Sequence, residues 1–332
     1  MSKYSPSSLE QSRRRAMHLA MREHVLLGTD LTKRIDIFGI MEQMRLWAMF
    51  EPLDALYGAY TYGNNVHGIL INSKHPPNLQ RFTAAHEYGH FIMGHGTSWD
   101  EEGQILSSGQ GSHPQEVEAQ IFAAHFLMPL QLVNAALYRM GFPVKPGELT
   151  PREVYQLSLE LGASYIAVVN HLVTLKKLRP EIARVLRSKA PKAIKTDIGE
   201  GQGPQDSWAD VWTFYKRDSK RKVSMYVNDE LHIYLPMEHA EDGVWQVYGV
   251  MNDAPVVVLK SDLQIASAVE SNGTDAAAYV HHFFLRAQMA GHAVVQLEKQ
   301  DTRPDLFELS IDVLPRPAQG LSEAQKYWLF DA

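Results

Sequence analysis

The stretch Arg81-Phe82-Thr83-Ala84-Ala85-His86-Glu87-Tyr88-Gly89-His90 decides the interpretation of this chain, because it sets two histidines four positions apart in a helix-compatible segment. Residues four apart lie one turn apart on one helix face, so both imidazoles can reach one cation. The carboxylate of Glu87 can lie beside that cation and take a proton from water. The pattern predicts a metal site; the plainer interpretation is a helix with two surface histidines.

A catalytic zinc needs a third protein ligand, and several side chains compete for that role. Glu116 and Glu118 both lie near the start of the next predicted helix, and each is spaced to share a face with apolar residues of that helix. The alternative for both is an acid placed in the first turn, where it interacts favourably with the helix dipole. His95 lies one place too early for the longer histidine motif, so we expect it behind the ligands or at the surface.

Composition narrows the classes of function. The chain has 332 residues, no cysteine and a formal net charge of -6. Disulfides, thiolate ligands and a cysteine nucleophile are therefore excluded, and a metal must be held by His, Asp or Glu. The net charge gives no general reason to expect nucleic-acid binding. No long apolar run predicts a membrane span and no apolar segment near the N-terminus predicts a signal peptide, so we expect a cytoplasmic protein.

Local patterns predict a multidomain α+β chain. Apolar residues at helical spacing predict helices at 8–27, 35–46, 79–93 and 116–128. Strand-like patterns predict strands at 59–62 and 68–72. The Gly- and Ser-rich stretch 94–114 predicts a loop. Thr150-Pro151-Arg152-Glu153 predicts a helix start. A β-sandwich is predicted from short strand patterns at 211–215, 231–235, 245–248, 254–259, 281–287, 293–297 and 306–313.

The domain boundaries follow from these changes in pattern. We predict an N-terminal helical extension (1–33), a zincin-like metallopeptidase domain built of the histidine helix and a small sheet (34–148) and a helix-turn-helix-like helical segment (149–180). A linker (181–207), an immunoglobulin-like β-sandwich (208–318) and a C-terminal tail (319–332) complete the chain.

Two sequence blocks resemble the ImmA/IrrE family of zinc metallopeptidases over about residues 34–178. The first is the stretch quoted above, which matches R-F-T-x-A-H-E-x-G-H. The second runs from Glu116 to Pro129 and matches E-x-x-A-N-x-F-A-x-x-L-x-M-P, with Gln120 in place of Asn and Phe126 in place of Leu. The resemblance implies that His86, His90 and Glu116 hold one Zn²⁺ and that Glu87 is the general base. Mn²⁺ is an alternative ion for such a donor set.

The remaining segments bear on whether the chain binds DNA, a peptidase or a peptide. The helices after Thr150 carry few cations before Lys176, so we expect no sequence-specific DNA binding from them. The strands from Val227 are similar to chagasin-type peptidase inhibitors, but residues 236–242 and 303–305 lack that family's inhibitory loop patterns. We therefore expect a scaffold that senses a signal or presents a substrate. An exposed edge at residues 68–72 is expected to pair with an extended peptide.

Three functional hypotheses follow. The first is a zinc endopeptidase of narrow specificity whose target, by resemblance, is a helix-turn-helix repressor cleaved in a stress response. The second is a peptidase-like toxin of a toxin–antitoxin pair, neutralised by a repressor-like antitoxin. The third is a partner-binding pseudo-enzyme, and the intact His86, Glu87 and His90 argue against it.

Overall fold

The chain divides into two compact units, one ending at Ser188 and the next starting at Lys189. The computed structural model describes residues 6–54, 56–63, 66–96, 98–101, 114–142, 149–237, 244–248, 254–265, 279–299 and 305–315. The loops at 238–243 and 300–304 and the predicted tail 319–332 lie outside these ranges. Helices and several small mixed sheets confirm the α+β class.

The first unit contains a four-stranded sheet and most of the helices. Its helices are α1 (Pro6–Leu27), α2 (Ile37–Gln43), α3 (Pro77–Met93), α4 (Pro114–Leu127), α5 (Leu130–Arg139), α6 (Pro151–Leu161), α7 (Tyr165–Thr174) and α8 (Pro180–Arg187). Its strands are β1 (Trp47–Glu51), β2 (Leu56–Gly63), β3 (Val66–Asn72) and β4 (Ser98–Glu101).

The strand order β1-β3-β2-β4 corrects one prediction. β3 pairs in parallel with β1 and antiparallel with β2, so residues 68–72 lie inside the sheet and cannot accept a peptide at an edge. The expectation failed because β1 comes from a segment that we did not predict as a strand. The edges are β1 and β4, and β4 lies within the stretch 94–114 predicted as a loop.

Helix α3 is buried on nearly all sides, which places it at the centre of the first unit. It contacts β2, β3, α2 and α4. β2 approaches it closely at Gly58, where a Cβ would lie 2.4 Å from Thr83 Cγ2 and 2.6 Å from the Leu70 carbonyl oxygen. Only a glycine allows the strand to come this near to the helix.

Helices α6 and α7 are joined by a short turn, and their assignment to a helix-turn-helix stays a prediction. A capping box at Thr150 and Glu153 begins α6, and Gly162 ends it with a φ of 64°. The two helices meet at 95°. Arg81 of the first sequence block donates to the carbonyl oxygens of Gly162 and Ile35, at 3.1 and 2.7 Å. This arginine therefore ties the start of α3 to the turn.

The segment 114–139 is long and apolar enough for a membrane span by composition, but 61% of its window is buried within the protein. It comprises α4 and α5, which pack against other helices of the first unit. Such burial is typical of the core helices of a soluble protein.

The predicted linker at 181–207 is largely helical. Most of α8 and all of α9 (Pro191–Ile198) fall within it. Ala183 and Leu186 of α8 are buried, as are Ile194 and Ile198 of α9. Apolar residues at helical spacing explain the difference from the prediction, which gave more weight to the lysines and glycines.

The second unit is built on two four-stranded sheets, with strand orders β5-β7-β10-β9 and β6-β12-β11-β8. The strands are β5 (Val211–Tyr215), β6 (Arg221–Tyr226), β7 (Glu230–Met237), β8 (Trp245–Tyr248), β9 (Val256–Ile265), β10 (Tyr279–Ala287), β11 (Gly291–Lys299) and β12 (Asp305–Leu314). Each sheet has one parallel pair, β5 with β7 and β6 with β12. Two sheets agree with the predicted β-domain, and an immunoglobulin-like strand arrangement stays a prediction.

Candidate metal centre

His86, His90 and Glu116 meet at one point in the first unit. His86 and His90 project from successive turns of α3, and Glu116 comes from the first turn of α4. Each offers one donor atom, and all three atoms lie within 4.8 Å of one another. Among the residues that the structure describes, no other such group of three His, Cys, Asp or Glu side chains occurs.

The distances between these donor atoms fit a small tetrahedral ion. His86 Nε2 lies 3.2 Å from His90 Nε2 and 3.2 Å from Glu116 Oε2. His90 Nε2 lies 3.5 Å from the same oxygen. Ligand atoms about 2.0–2.1 Å from a tetrahedral zinc ion lie about 3.3–3.4 Å apart. The three atoms therefore form one face of a tetrahedron of the right size.

The electrostatics of Glu116 suit a metal ligand. Burial raises the pKa of its carboxyl, but the adjacent imidazoles of His86 and His90 outweigh burial and hold that pKa below its ordinary value. The group is therefore a carboxylate at neutral pH. Two imidazoles and one carboxylate are a donor set that zinc prefers. The residues present fit a divalent ion of this kind.

Glu118, the other carboxylate left open by the sequence, does not join this cluster. Its Oε2 lies 3.3 Å from His95 Nε2 and 3.3 Å from the Arg15 guanidinium. Two positions along α4 rotate a side chain by roughly 200°, which separates the two glutamates. The geometry therefore favours Glu116 over Glu118 as the third donor.

Glu87 follows His86 on α3 and is fully buried. A Cβ built on Gly58 would lie 3.5 Å from Glu87 Oε1, so this carboxylate lies where β2 passes over the helix. The helix thus carries two imidazoles and a carboxylate on adjoining faces.

Tyr88, His95 and His125 carry groups that could donate a hydrogen bond to an oxyanion, but each has another contact. The Tyr88 hydroxyl donates to Glu23 Oε2 at 3.2 Å, on the side of α3 that faces α1. His95 lies behind His90, and its ring packs against that ligand with centroids 4.9 Å apart. The His125 ring packs against His171 at 4.8 Å. We therefore assign none of them to a developing oxyanion.

Sequence reasoning missed the contribution of α1. Arg15 reaches Glu118 and also donates to the Met93 carbonyl oxygen at 3.3 Å. His24 stacks on Phe126 with ring centroids 4.4 Å apart. The basic run at Arg13-Arg14-Arg15 was visible in the sequence, but nothing local indicated which arginine turns inward.

Residues 41–172 match the family model described as IrrE N-terminal-like domain, Peptidase M78. The first unit carries an IrrE-like domain. The match confirms the resemblance drawn from the two sequence blocks and supports a metallopeptidase of the ImmA/IrrE type. Helix α1 lies outside the matched residues of the IrrE-like domain. No curated protein matches the chain significantly.

Solved structures similar to the chain include two small proteins. One is EhICP2, a cysteine protease inhibitor from Entamoeba histolytica, at 10% identity and a TM-score of 0.26, covering 34% of this chain and 100% of that chain. The other is amebosin, at 12% identity and a TM-score of 0.23, covering 32% and 98%.

Proposed function

We propose that the protein is a zinc-dependent endopeptidase of narrow specificity, acting in the cytoplasm. The observation that carries the proposal is the convergence of His86, His90 and Glu116 within 4.8 Å, with Glu87 buried on the same helix. Helix spacing alone could bring the two histidines together, but the third donor arrives from a separate helix.

The residues would divide the chemistry of peptide hydrolysis among them. His86, His90 and Glu116 would hold the ion. A bound divalent ion of this kind would acidify water and polarise a peptide carbonyl. Glu87 would take the proton from the attacking water and pass it to the leaving amine, as a general acid–base. Its burial between β2 and α3 keeps this carboxylate in a fixed position.

The substrate class rests on the family resemblance. Resemblance to ImmA/IrrE proteins implies that the target is a helix-turn-helix repressor-type protein. The alternative is that this chain is a toxin, which a protein of that type neutralises. The two roles differ in an observable way. Expression of this chain without its partner should be tolerated if it is a regulatory protease and toxic if it is a toxin.

The decisive variant is Glu87→Gln, which removes the base while leaving the three donors in place. We expect one zinc per chain in the wild type and in the variant. Cleavage of a candidate helix-turn-helix repressor substrate should fall by about 10²–10⁴-fold, the usual contribution of a general acid–base. Elemental analysis and gel-based cleavage assays measure both.

Glu42→Gln is a matched control, because Glu42 is exposed on α2 of the same unit. It should leave zinc content and cleavage unchanged. Cleavage by Glu87→Gln at the wild-type rate would refute the assigned role. Absence of stoichiometric zinc from the wild type would refute the metal site itself.

A further inference from the structure

A chain of side chains leads from the metal cluster to α1. His90 uses Nε2 within the cluster, and its other ring nitrogen, Nδ1, lies 3.0 Å from Nδ1 of His95. His95 Nε2 in turn lies 3.3 Å from Glu118 Oε2, and the Arg15 guanidinium lies 3.3 Å from the same oxygen. We name this series, Arg15–Glu118–His95–His90, the α1 relay.

When His90 binds a metal, only one arrangement of protons forms every hydrogen bond along the α1 relay. When His90 binds a metal through Nε2, that nitrogen presents its lone pair, so the ring proton resides on Nδ1. His90 Nδ1–H then donates to His95 Nδ1. His95 must carry its own proton on Nε2, which donates to the Glu118 carboxylate. Every hydrogen bond along the relay therefore favours the tautomer of His90 that a metal requires.

The local backbone explains how His95 reaches its place. Gly94 ends α3 with a φ of 68°, which turns the chain back on itself. The His95 backbone N–H then donates to the His90 carbonyl oxygen at 3.0 Å. His95 is thereby attached to His90 through both backbone and ring. The glycine after Met93 was the sequence signal for this arrangement.

Arg15 completes the α1 relay from outside the IrrE-like domain. Glu118 is 6% exposed, and a buried carboxylate is stabilised by a partner of opposite charge. Arg15 supplies it and is itself anchored at the Met93 carbonyl oxygen, at the end of α3. Its side chain keeps 52% of its exposure, so its effect should be smaller than that of His95.

We propose that α1 positions the metal ligand His90 through Glu118 and His95, with His95 as the main positioning residue. This inference rests on the proposed function, since it assigns His90 to the metal. It also gives α1 a role in metal affinity that the matched domain alone does not supply.

The test measures zinc affinity of the full chain by competition with a chromophoric chelator. His95→Leu should weaken binding about 10–100-fold, as loss of a hydrogen-bond partner to a metal-binding histidine usually does. His95→Gln should recover most of that loss, because its amide oxygen can accept from His90 and its amide N–H can donate to Glu118. Arg15→Met should weaken binding about two- to fivefold, the effect of a partly exposed ion pair.

Arg14→Met is the matched control, because Arg14 pairs with exposed Glu10, at 3.2 Å, on the same helix. It should bind zinc as the wild type does. A second readout, ¹⁵N NMR of the histidine rings in metal-free protein, should show the proton of His90 on Nδ1 in the wild type and a mixture of tautomers in His95→Leu.

The outcomes distinguish the α1 relay proposal from the metallopeptidase proposal. Wild-type zinc affinity and an unchanged His90 tautomer in His95→Leu would overturn the α1 relay and leave the metallopeptidase proposal standing. A wild type that takes up no zinc would overturn the metallopeptidase proposal, and the NMR readout would still decide whether His95 fixes the tautomer of His90.

Discussion

Histidines are buried in both compact units, but they meet different partners. In the first unit, Nε2 atoms of His86 and His90 face each other and the Glu116 carboxylate. In the second unit, His282 Nε2 and His232 Nδ1 lie 2.9 Å apart, and His282 Nδ1 accepts from the Gln264 amide at 3.1 Å. The first arrangement directs several donor atoms to one point, whereas the second satisfies both nitrogens of His282 with protein groups.

The difference teaches what to look for when histidines are buried. Burial alone requires only hydrogen-bond partners. Carboxylates near a histidine are not sufficient either, since Glu200 and Asp262 both lie 3.6 Å from His282 Nδ1 without forming a group of three donors. Convergence of three donors at tetrahedral spacing is the feature that indicates a metal.

The largest expected effect concerns metal content. His86→Ala removes one of the three donors, so the protein should change from one bound zinc per chain to none. His232→Leu, the matched change in the second unit, should keep the full zinc content. Elemental analysis after dialysis against trace zinc measures both variants. Loss of zinc in His232→Leu would show that the two regions are not as distinct as their geometry indicates.

A second prediction uses His171, a buried histidine outside the candidate metal cluster. Its Nε2 donates to the Met128 carbonyl oxygen at 2.8 Å. Burial, aided by nearby His125, lowers the pKa of His171 to about 4. Between pH 6.5 and about 4 the unfolded chain therefore binds a proton that the folded protein does not, and stability falls as the pH falls.

The slope attributable to His171 should approach ~1.4 kcal/mol per pH unit within that window. Urea unfolding of metal-free protein between pH 4.5 and 7 measures the slope. His171→Gln cannot take up a proton there, so its free energy of unfolding should vary less steeply with pH than that of the wild type. Parallel curves for the two proteins would contradict the assignment.

The smallest expected effect is the coupling between His232 and His282. Replacing one of them by Leu leaves its partner without that hydrogen bond and should cost ~1–3 kcal/mol of the free energy of unfolding. The double variant should cost less than the sum of the two single changes, with a coupling of ~1 kcal/mol. A double-mutant cycle by urea unfolding measures this. Strict additivity would mean that the hydrogen bond contributes nothing measurable.

Local features of the fold were predictable from sequence. The bounds of β5 and β8 agree with the predicted strands, because alternating or continuous apolar residues are bounded by clear breaks. The metal cluster was predictable because two donors are fixed by helix spacing. The family resemblance, and not geometry, selected Glu116, and the structure brings that residue to the two histidines.

Non-local features were missed. β1 was not predicted because its pairing with β3 joins segments about twenty residues apart, and that error made β3 look like an edge. β6 was not predicted, because the charged residues Arg221 and Lys222 interrupt the apolar strand pattern. Val223 and Met225 of this strand are nevertheless buried. The α1 relay was missed because Arg15 and Glu118 are 103 positions apart. Sequence periodicity reports which face of an element is buried, but not which distant element covers it.

Where the second unit begins has a practical consequence. Glu200 lies 3.6 Å from His282 Nδ1, and Gln205 accepts from Arg286 at 3.2 Å, so residues ahead of the first strand contact side chains of β10. A truncated protein starting at residue 208 would lack Glu200 and Gln205, and with them these contacts to His282 and Arg286. Anyone who wishes to study this half in isolation should cut the gene before Lys189.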